Sequence, residues 1–197
     1  MQDSIDSVLI PNGLIQDRVE KLADEIFTDI QRRGQEPINI LVVLKGGYQF
    51  HSDLQEKLNM LNAHSTNNSV QISVDFIRLK SYENTSSSKA EIKVMGLDTL
   101  KALEGKNVLV VEDIVDTGRT IRRLLALLKE EAKPKSIRVA CLLRKRTDLS
   151  DRFVPDYVGF EIPDRFVIGH GFDYNEYFRD IQHICVINNN GIEKYKS

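Results

Sequence analysis

The chain has 197 residues, 41% of them hydrophobic and 28% charged, with a formal net charge of −2. That length fits one domain with a substantial core, and the near-balanced charge argues against a general nucleic-acid or membrane surface. No apolar run approaches the roughly 18 residues that a membrane helix needs, and the acidic, polar start "MQDSIDSVLIPNG" lacks the basic-then-apolar order of a signal peptide.

Apolar residues at Ile15, Val19, Leu22, Ile26 and Ile30 predict a helix with one buried stripe, stopped by "GQEP". "INILVVL" (38–44) is continuous, apolar and rich in β-branched residues, as a strand covered on both faces should be. "KGGYQF" predicts a turn, after which Phe50, Leu54, Leu58 and Leu61 mark a second helix. "VQISVDFIRL" (70–79) alternates over much of its length and predicts a long strand. "KSYENTSSSKAE" (80–91) has no hydrophobic period and predicts a mobile loop. "NVLVV" (107–111) predicts another buried strand. Ile121, Leu124, Leu125 and Leu128 give the core face of the next helix, with Pro134 beyond it. "SIRVACLL" (136–143), "DYVGFEI" (156–162) and "HICVIN" (183–188) predict the later strands. Cys141 and Cys185 sit in apolar runs without zinc or redox spacing, which predicts buried reduced thiols and a cytoplasmic location.

Strands alternating with helices predict an α/β fold, a mostly parallel central sheet with helices on both faces. Ligands in such folds bind beyond the carboxyl ends of the strands. "KGG" and "EDIVDTGRT" (112–120) therefore share one rim. Gly118 allows close backbone approach, Thr117 and Thr120 offer hydroxyls, and a helix N-terminus favours an anion. These features suit a monophosphate, although an ordinary N-cap at Asp116 or Thr117 explains the same segment. Glu112 and Asp113 are poor phosphate ligands. They suit two vicinal hydroxyls or a hydrated magnesium ion. A sugar phosphate satisfies both halves of the segment. A receiver domain, the main rival, carries its acidic pair at the first strand, whereas this pair lies mid-chain.

"VLVVEDIVDTGRT" resembles the phosphoribosyl-pyrophosphate (PRPP) signature of the type I phosphoribosyltransferases. "LVVLKGGYQF", "SVDFIRLKSY", "LLRKRT", "DYVGFEIPDRFVIG" and "DYNEYFRDIQHICVI" extend the resemblance to the hypoxanthine-guanine phosphoribosyltransferases, above all those of animals. The similarity runs from about Leu9 to the C-terminus. It implies one phosphoribosyltransferase domain over residues 1–197, with a small hood built from N- and C-terminal segments. The implied reaction is purine salvage: hypoxanthine or guanine and PRPP give IMP or GMP and pyrophosphate, with Mg2+.

The resemblance also assigns residues. Glu112 and Asp113 hold the ribose hydroxyls and magnesium, and Asp116, Thr117, Gly118, Arg119 and Thr120 wrap the 5′-phosphate. Lys45, Gly46 and Arg179 bind pyrophosphate, and a non-proline cis peptide bond enters Lys45. Asp116 accepts or stabilises the purine's imidazole proton. Lys145 donates to the purine 6-oxo group, which selects against adenine. Phe166 stacks on the base, Val167 offers backbone groups, and Asp173 meets the exocyclic amine or a second magnesium ion. Ser81 and Tyr82 close over the transition state and exclude water. Without the family, Lys45 reads equally as a solvated strand end, Phe166 as a core residue and Arg179 as a helix-surface cation. Arg119 stands where lysine is frequent, and His170 and Phe172 stand around the base pocket where tyrosine and a smaller aliphatic are expected. The implied assembly is a homodimer or homotetramer, with no nucleic-acid or membrane partner. The alternative is a low-activity or regulatory protein of the same fold that binds PRPP or nucleotide.

Overall fold

The most apolar stretches of the chain lie side by side at its centre. The computed structural model describes residues 2–65, 69–82, 91–95, 100–149 and 153–196. In chain order the elements are β1 (Ile5–Ile10), α1 (Asn12–Arg32), β2 (Ile38–Leu44), α2 (Gly47–Ala63), β3 (Ile72–Tyr82), β4 (Glu91–Met95) and β5 (Asn107–Val115). There follow α3 (Arg119–Leu127), β6 (Ser136–Arg146), β7 (Tyr157–Pro163), β8 (Val167–Ile168), β9 (Ile184–Ile187) and α4 (Asn189–Lys194). Six strands form the main sheet in the order β4-β3-β2-β5-β6-β7. All neighbours in it are parallel except β3 and β4.

Strand periodicity sorts the core into two layers. Ile40, Val42, Leu109 and Val111 pack with Ile15, Val19, Leu22 and Ile26 of α1 and with Phe50, Leu54 and Leu58 of α2. Leu41, Val43, Val108 and Val110 face the other way, toward Ile121, Leu124 and Leu128. Successive side chains of a strand point to opposite faces, so a sheet covered on both sides needs an unbroken apolar run. Each such side chain contributes roughly 1.5–3 kcal/mol on burial.

Three strands extend further than their apolar runs predict. β5 continues from the expected 107–111 to Val115, so Glu112 and Asp113 lie within the strand. The reason is its neighbour: β6 keeps pairing alongside, Glu112 with Cys141 and Val115 with Arg144. β6 itself reaches Arg146, which puts Lys145 in the strand rather than after it. β3 runs on to Tyr82 because β4 pairs back on it, Ser81 with Ile92 and Tyr82 with Glu91. Lys80, Ser81, Tyr82 and Glu91 are thus strand residues, not part of the expected loop. The remainder of that loop, 83–90, lies outside the described residues.

β1, β4, β8 and α4 are not evident from hydrophobic pattern. β1 carries the polar text "IDSVLI" and is held by long-range pairing with β9, Val8 opposite Cys185 and Ile10 opposite Ile184. The antiparallel sheet β1-β9-β8 joins both ends of the chain into the expected hood. Asn188 caps α4 there by accepting from the Gly191 backbone N–H at 2.8 Å. Cys141 and Cys185 are free and buried, and burial pushes both thiols above their ordinary pKa. Among the described residues, no helix is long and apolar enough to cross a membrane.

Candidate active site

The carboxyl ends of β2 and β5 are pressed together by glycine. The bond between Leu44 and Lys45 is cis. A Cβ on Gly46 would lie 1.6 Å from Asp113 Oδ2, and one on Gly47 would lie 3.3 Å from the Val111 carbonyl. Any side chain at position 46 would displace the Asp113 carboxylate, so "KGG" is the local text that lets α2 start against β5.

Glu112 and Asp113 share this crowded spot. Burial, then the neighbouring charge of Asp113, holds the Glu112 carboxyl well above the usual carboxylate range. Burial also raises Asp113, against the hydrogen bonds it accepts. Its Oδ1 takes one of these from the Ile114 backbone N–H at 2.8 Å.

The following loop leads directly into the N-terminus of α3. Gly118, with φ +86°, is the residue before the first turn of α3, and Thr117 Oγ1 accepts from the Arg119 backbone N–H at 3.5 Å. The N-cap position falls on Gly118 rather than on Asp116 or Thr117, with Thr117 supplying one long hydrogen bond to the first turn. The first amides of a helix have no intrahelical acceptor, so this end of α3 favours an anion. A cavity of about 330 Å³ is lined by Gly46, Glu112, Asp113, Asp116, Thr117, Gly118 and Thr120, among others. The structure thus brings these sequence-predicted residues to one place.

The side chains expected to meet a base lie on β6 and the hood. Lys145, with a side chain only 12% exposed, places its Nζ 3.0 Å from Asp116 Oδ2 and 3.3 Å from Asp164 Oδ1. Asp164 was not expected from the sequence. Its position directly after the strand text "YVGFEIP" is the signal that could have found it. Phe166 is 50% exposed, which removes the core reading, and meets Tyr174 edge-on at 5.5 Å. Its carbonyl accepts from the Ile187 backbone N–H at 3.3 Å, and Val167 is buried opposite Val186.

The loop between β8 and β9 carries Asp173 and Arg179. Arg179 lies on no helix. Its guanidinium reaches Asp173 Oδ1 at 2.8 Å, Glu176 Oε2 at 3.4 Å and the Gly171 carbonyl at 2.6 Å. Lys45 Nζ meets the same Glu176 oxygen at 2.9 Å. Glu176 is the second acid missed in the sequence, where it reads as one exposed charge among several. A Cβ on Gly171, whose φ is +92°, would lie 3.0 Å from the Gly46 carbonyl, so the hood loop rests on the "KGG" turn.

His170 and Phe172 are corrected by this packing. Phe172 joins the core cluster of α1 and α2. His170 is buried, with its Nε2 3.3 Å from Asp53 Oδ2 on α2. Both brace the hood loop from behind instead of surrounding a base pocket. Burial works against ionisation of Asp53, but the His170 ring beside it and hydrogen bonds from Gln16 and Gln49 outweigh it and lower its pKa. Ser81 and Tyr82 end β3, beside the undescribed 83–90.

Among the described residues, no group of three or more His, Cys, Asp or Glu side chains could hold a metal by itself. The donor chemistry nonetheless suits magnesium. Glu112 and Asp113 are adjacent hard oxygen donors whose ionisation costs desolvation and mutual repulsion, which a divalent cation relieves. Magnesium usually takes one or two carboxylates and completes its shell with water and substrate phosphates.

Residues 9–176 match the phosphoribosyl transferase domain family. The chain is 52% identical to the hypoxanthine-guanine phosphoribosyltransferase of Bos taurus over 195 residues, 99% of this chain and 87% of that protein. It is 54% identical to human phosphoribosyltransferase domain-containing protein 1 over 192 residues, 98% of this chain and 83% of that one. The crystal structure of Schistosoma mansoni hypoxanthine-guanine phosphoribosyltransferase in complex with IMP is similar with a TM-score of 0.78 and 39% identity, covering 98% of this chain and 86% of that one. The chain belongs to the phosphoribosyl transferase family, among the relatives of the animal hypoxanthine-guanine phosphoribosyltransferases.

Proposed function

We propose that residues 1–197 form one phosphoribosyltransferase domain that moves the 5-phosphoribosyl group of PRPP to hypoxanthine or guanine. The products are IMP or GMP and pyrophosphate. The observation that carries this reading is the cavity where Gly46, the Glu112–Asp113 pair and the 116–120 loop converge. The 5′-phosphate takes the backbone N–H groups and threonine hydroxyls of that loop, and Arg119 adds charge. Glu112 and Asp113 accept from the ribose hydroxyls. Lys45, Gly46 and Arg179 receive pyrophosphate.

The base is read by a separate set. Lys145 donates to the 6-oxo group, Phe166 stacks, Val167 offers backbone groups and Asp173 accepts from the exocyclic amine. Asp116 takes or stabilises the imidazole proton as the ring nitrogen attacks the anomeric carbon. Ser81 and Tyr82 cover the site and keep water from PRPP. Magnesium, when bound at Glu112 and Asp113, with Asp173 as a second ligand group, supplies charge neutralisation for the leaving pyrophosphate.

An assay with radiolabelled hypoxanthine, guanine, xanthine and adenine, each with PRPP and Mg2+, tests the proposal. Nucleotide should form from hypoxanthine and guanine, and none from adenine. PRPP binding without nucleotide formation would instead favour a low-activity or regulatory protein. The human relative whose name states a domain rather than an activity, at 54% identity, keeps that second reading in view. We place the activity in the cytoplasm, supported by the two free thiols. The active form is a homodimer or homotetramer, supported by the exposed Tyr48 and Phe76. Light scattering that gives one 22.5 kDa species would overturn that assembly.

A further inference from the structure

One carboxylate touches both cations that the proposed function gives to pyrophosphate. Glu176 Oε2 lies 2.9 Å from Lys45 Nζ and 3.4 Å from Arg179 Nη2. Lys45 follows β2 and Arg179 comes from the hood, so this contact spans two parts of the fold. The backbone at Glu176 has φ +69°, a left-handed conformation that non-glycine residues rarely adopt. Its N–H donates to Asp173 Oδ2 at 2.7 Å, which fixes the main chain at this strained point. The side chain itself is 61% exposed and has room to leave.

We infer that Glu176 is a built-in competitor for pyrophosphate: its carboxylate occupies Lys45 and Arg179 in the free protein and swings away when the diphosphate binds. The inference rests on the proposed assignment of those two cations. Glu176 presents a single negative charge, whereas pyrophosphate carries several and has more acceptor oxygens, so the ligand wins when present. Exposed ion pairs are weak, so the contact tunes affinity without locking the site. As pyrophosphate leaves, Glu176 returns to the vacated cations and hinders rebinding.

A strut role, in which Glu176 holds the cations in place for the ligand, predicts the opposite sign. The geometry argues against it for Arg179. That guanidinium keeps Asp173 at 2.8 Å and the Gly171 carbonyl at 2.6 Å without any help from Glu176.

Calorimetric titration with magnesium pyrophosphate decides between them, using wild type, Glu176→Gln, Glu176→Asp and Glu176→Gly. Glu176→Gln should bind pyrophosphate about threefold to tenfold more tightly, the range expected for removing weak competing pairs. Stopped-flow association should quicken correspondingly. Glu176→Asp, which keeps the charge on a shorter arm, should fall between. Glu176→Gly relieves the left-handed backbone and removes the carboxylate, so it must also tighten binding even if the glutamine variant folds poorly. Unchanged or weaker binding in both neutral variants would overturn the inference and leave Glu176 a strut. If wild type binds no pyrophosphate, the assignment of Lys45 and Arg179 fails first, and the proposed function with it.

Discussion

Lys145 Nζ lies 3.0 Å from Asp116 Oδ2, a contact that ties β6 to the loop between β5 and α3. The cation proposed to read the base and the carboxylate proposed to handle its proton are therefore one pair. Asp164 Oδ1 lies 3.3 Å from the same ammonium. The Lys145 ammonium thus has two acid partners.

Asp116→Asn should keep the fold and nucleotide binding while lowering turnover by roughly 10²–10⁴-fold, the usual span for lost general acid–base work. Steady-state kinetics with saturating hypoxanthine and PRPP check this. A variant with near-normal turnover removes the proton role from Asp116.

Lys145→Ala should raise KM for hypoxanthine far more than KM for PRPP. A site built to pair a polar group discriminates strongly because the wrong partner leaves a buried group unpaired. Equal effects on both substrates would show that Lys145 does not contact the base. Because Lys145 and Asp116 touch, the double variant Lys145→Ala/Asp116→Asn should lose less than the two single losses combined.

Gly46→Ala introduces a methyl group where Asp113 Oδ2 now sits, 1.6 Å from the new carbon. Asp113 must move, and displacement of about an ångström in a catalytic geometry can cost on the order of 10²-fold. We expect a fall of that size in kcat/KM for PRPP with little change in Tm, since no core residue is disturbed. Thermal melts alongside kinetics separate the two effects, and unaltered PRPP kinetics would show that the close approach has no role.

Away from the site, the Tyr157 hydroxyl donates to Asp29 Oδ2 at 2.7 Å, joining β7 to α1. That hydrogen bond is the main reason the Asp29 carboxyl sits below its ordinary pKa, with Arg33 adding to it against desolvation. A depressed carboxylate pKa stabilises the fold above its unfolded value, near pH 4, and the gain is lost as pH falls through the folded value. Tyr157→Phe should cost about 0.5–1.5 kcal/mol at pH 7, and the gap from wild type should narrow below about pH 4. Urea melts at both pH values test this. A gap that does not change with pH would show that the carboxylate form is not what the hydroxyl stabilises.

The strands and helices with strong hydrophobic pattern were legible in the sequence because burial is periodic. The run 38–44 feeds two opposite core layers, and the stripe from Ile15 to Ile30 faces one of them. The rim segments were legible as places, since their glycines, threonines and paired acids directly follow the apolar runs 38–44 and 107–111. Strand ends were not. Glu112, Ser81 and Lys145 lie in strands because neighbouring strands continue beside them, and pairing partners are remote in the chain. β1 was hidden for the same reason, its polar text being held by β9 from the other end of the molecule.

By itself, then, the sequence determined the layered α/β core and the place of the acidic pair and of the glycine-threonine loop at its rim, because local pattern and local chemistry coincide there. Only the tertiary structure decided that Glu176 bridges Lys45 and Arg179, that Asp164 shares Lys145 with Asp116, and that His170 and Phe172 turn inward against α2. Each of these depends on contacts between residues distant in the chain, set by how the hood closes over the sheet. An exposed charge and a bridging one look alike until that closure brings their partners within reach.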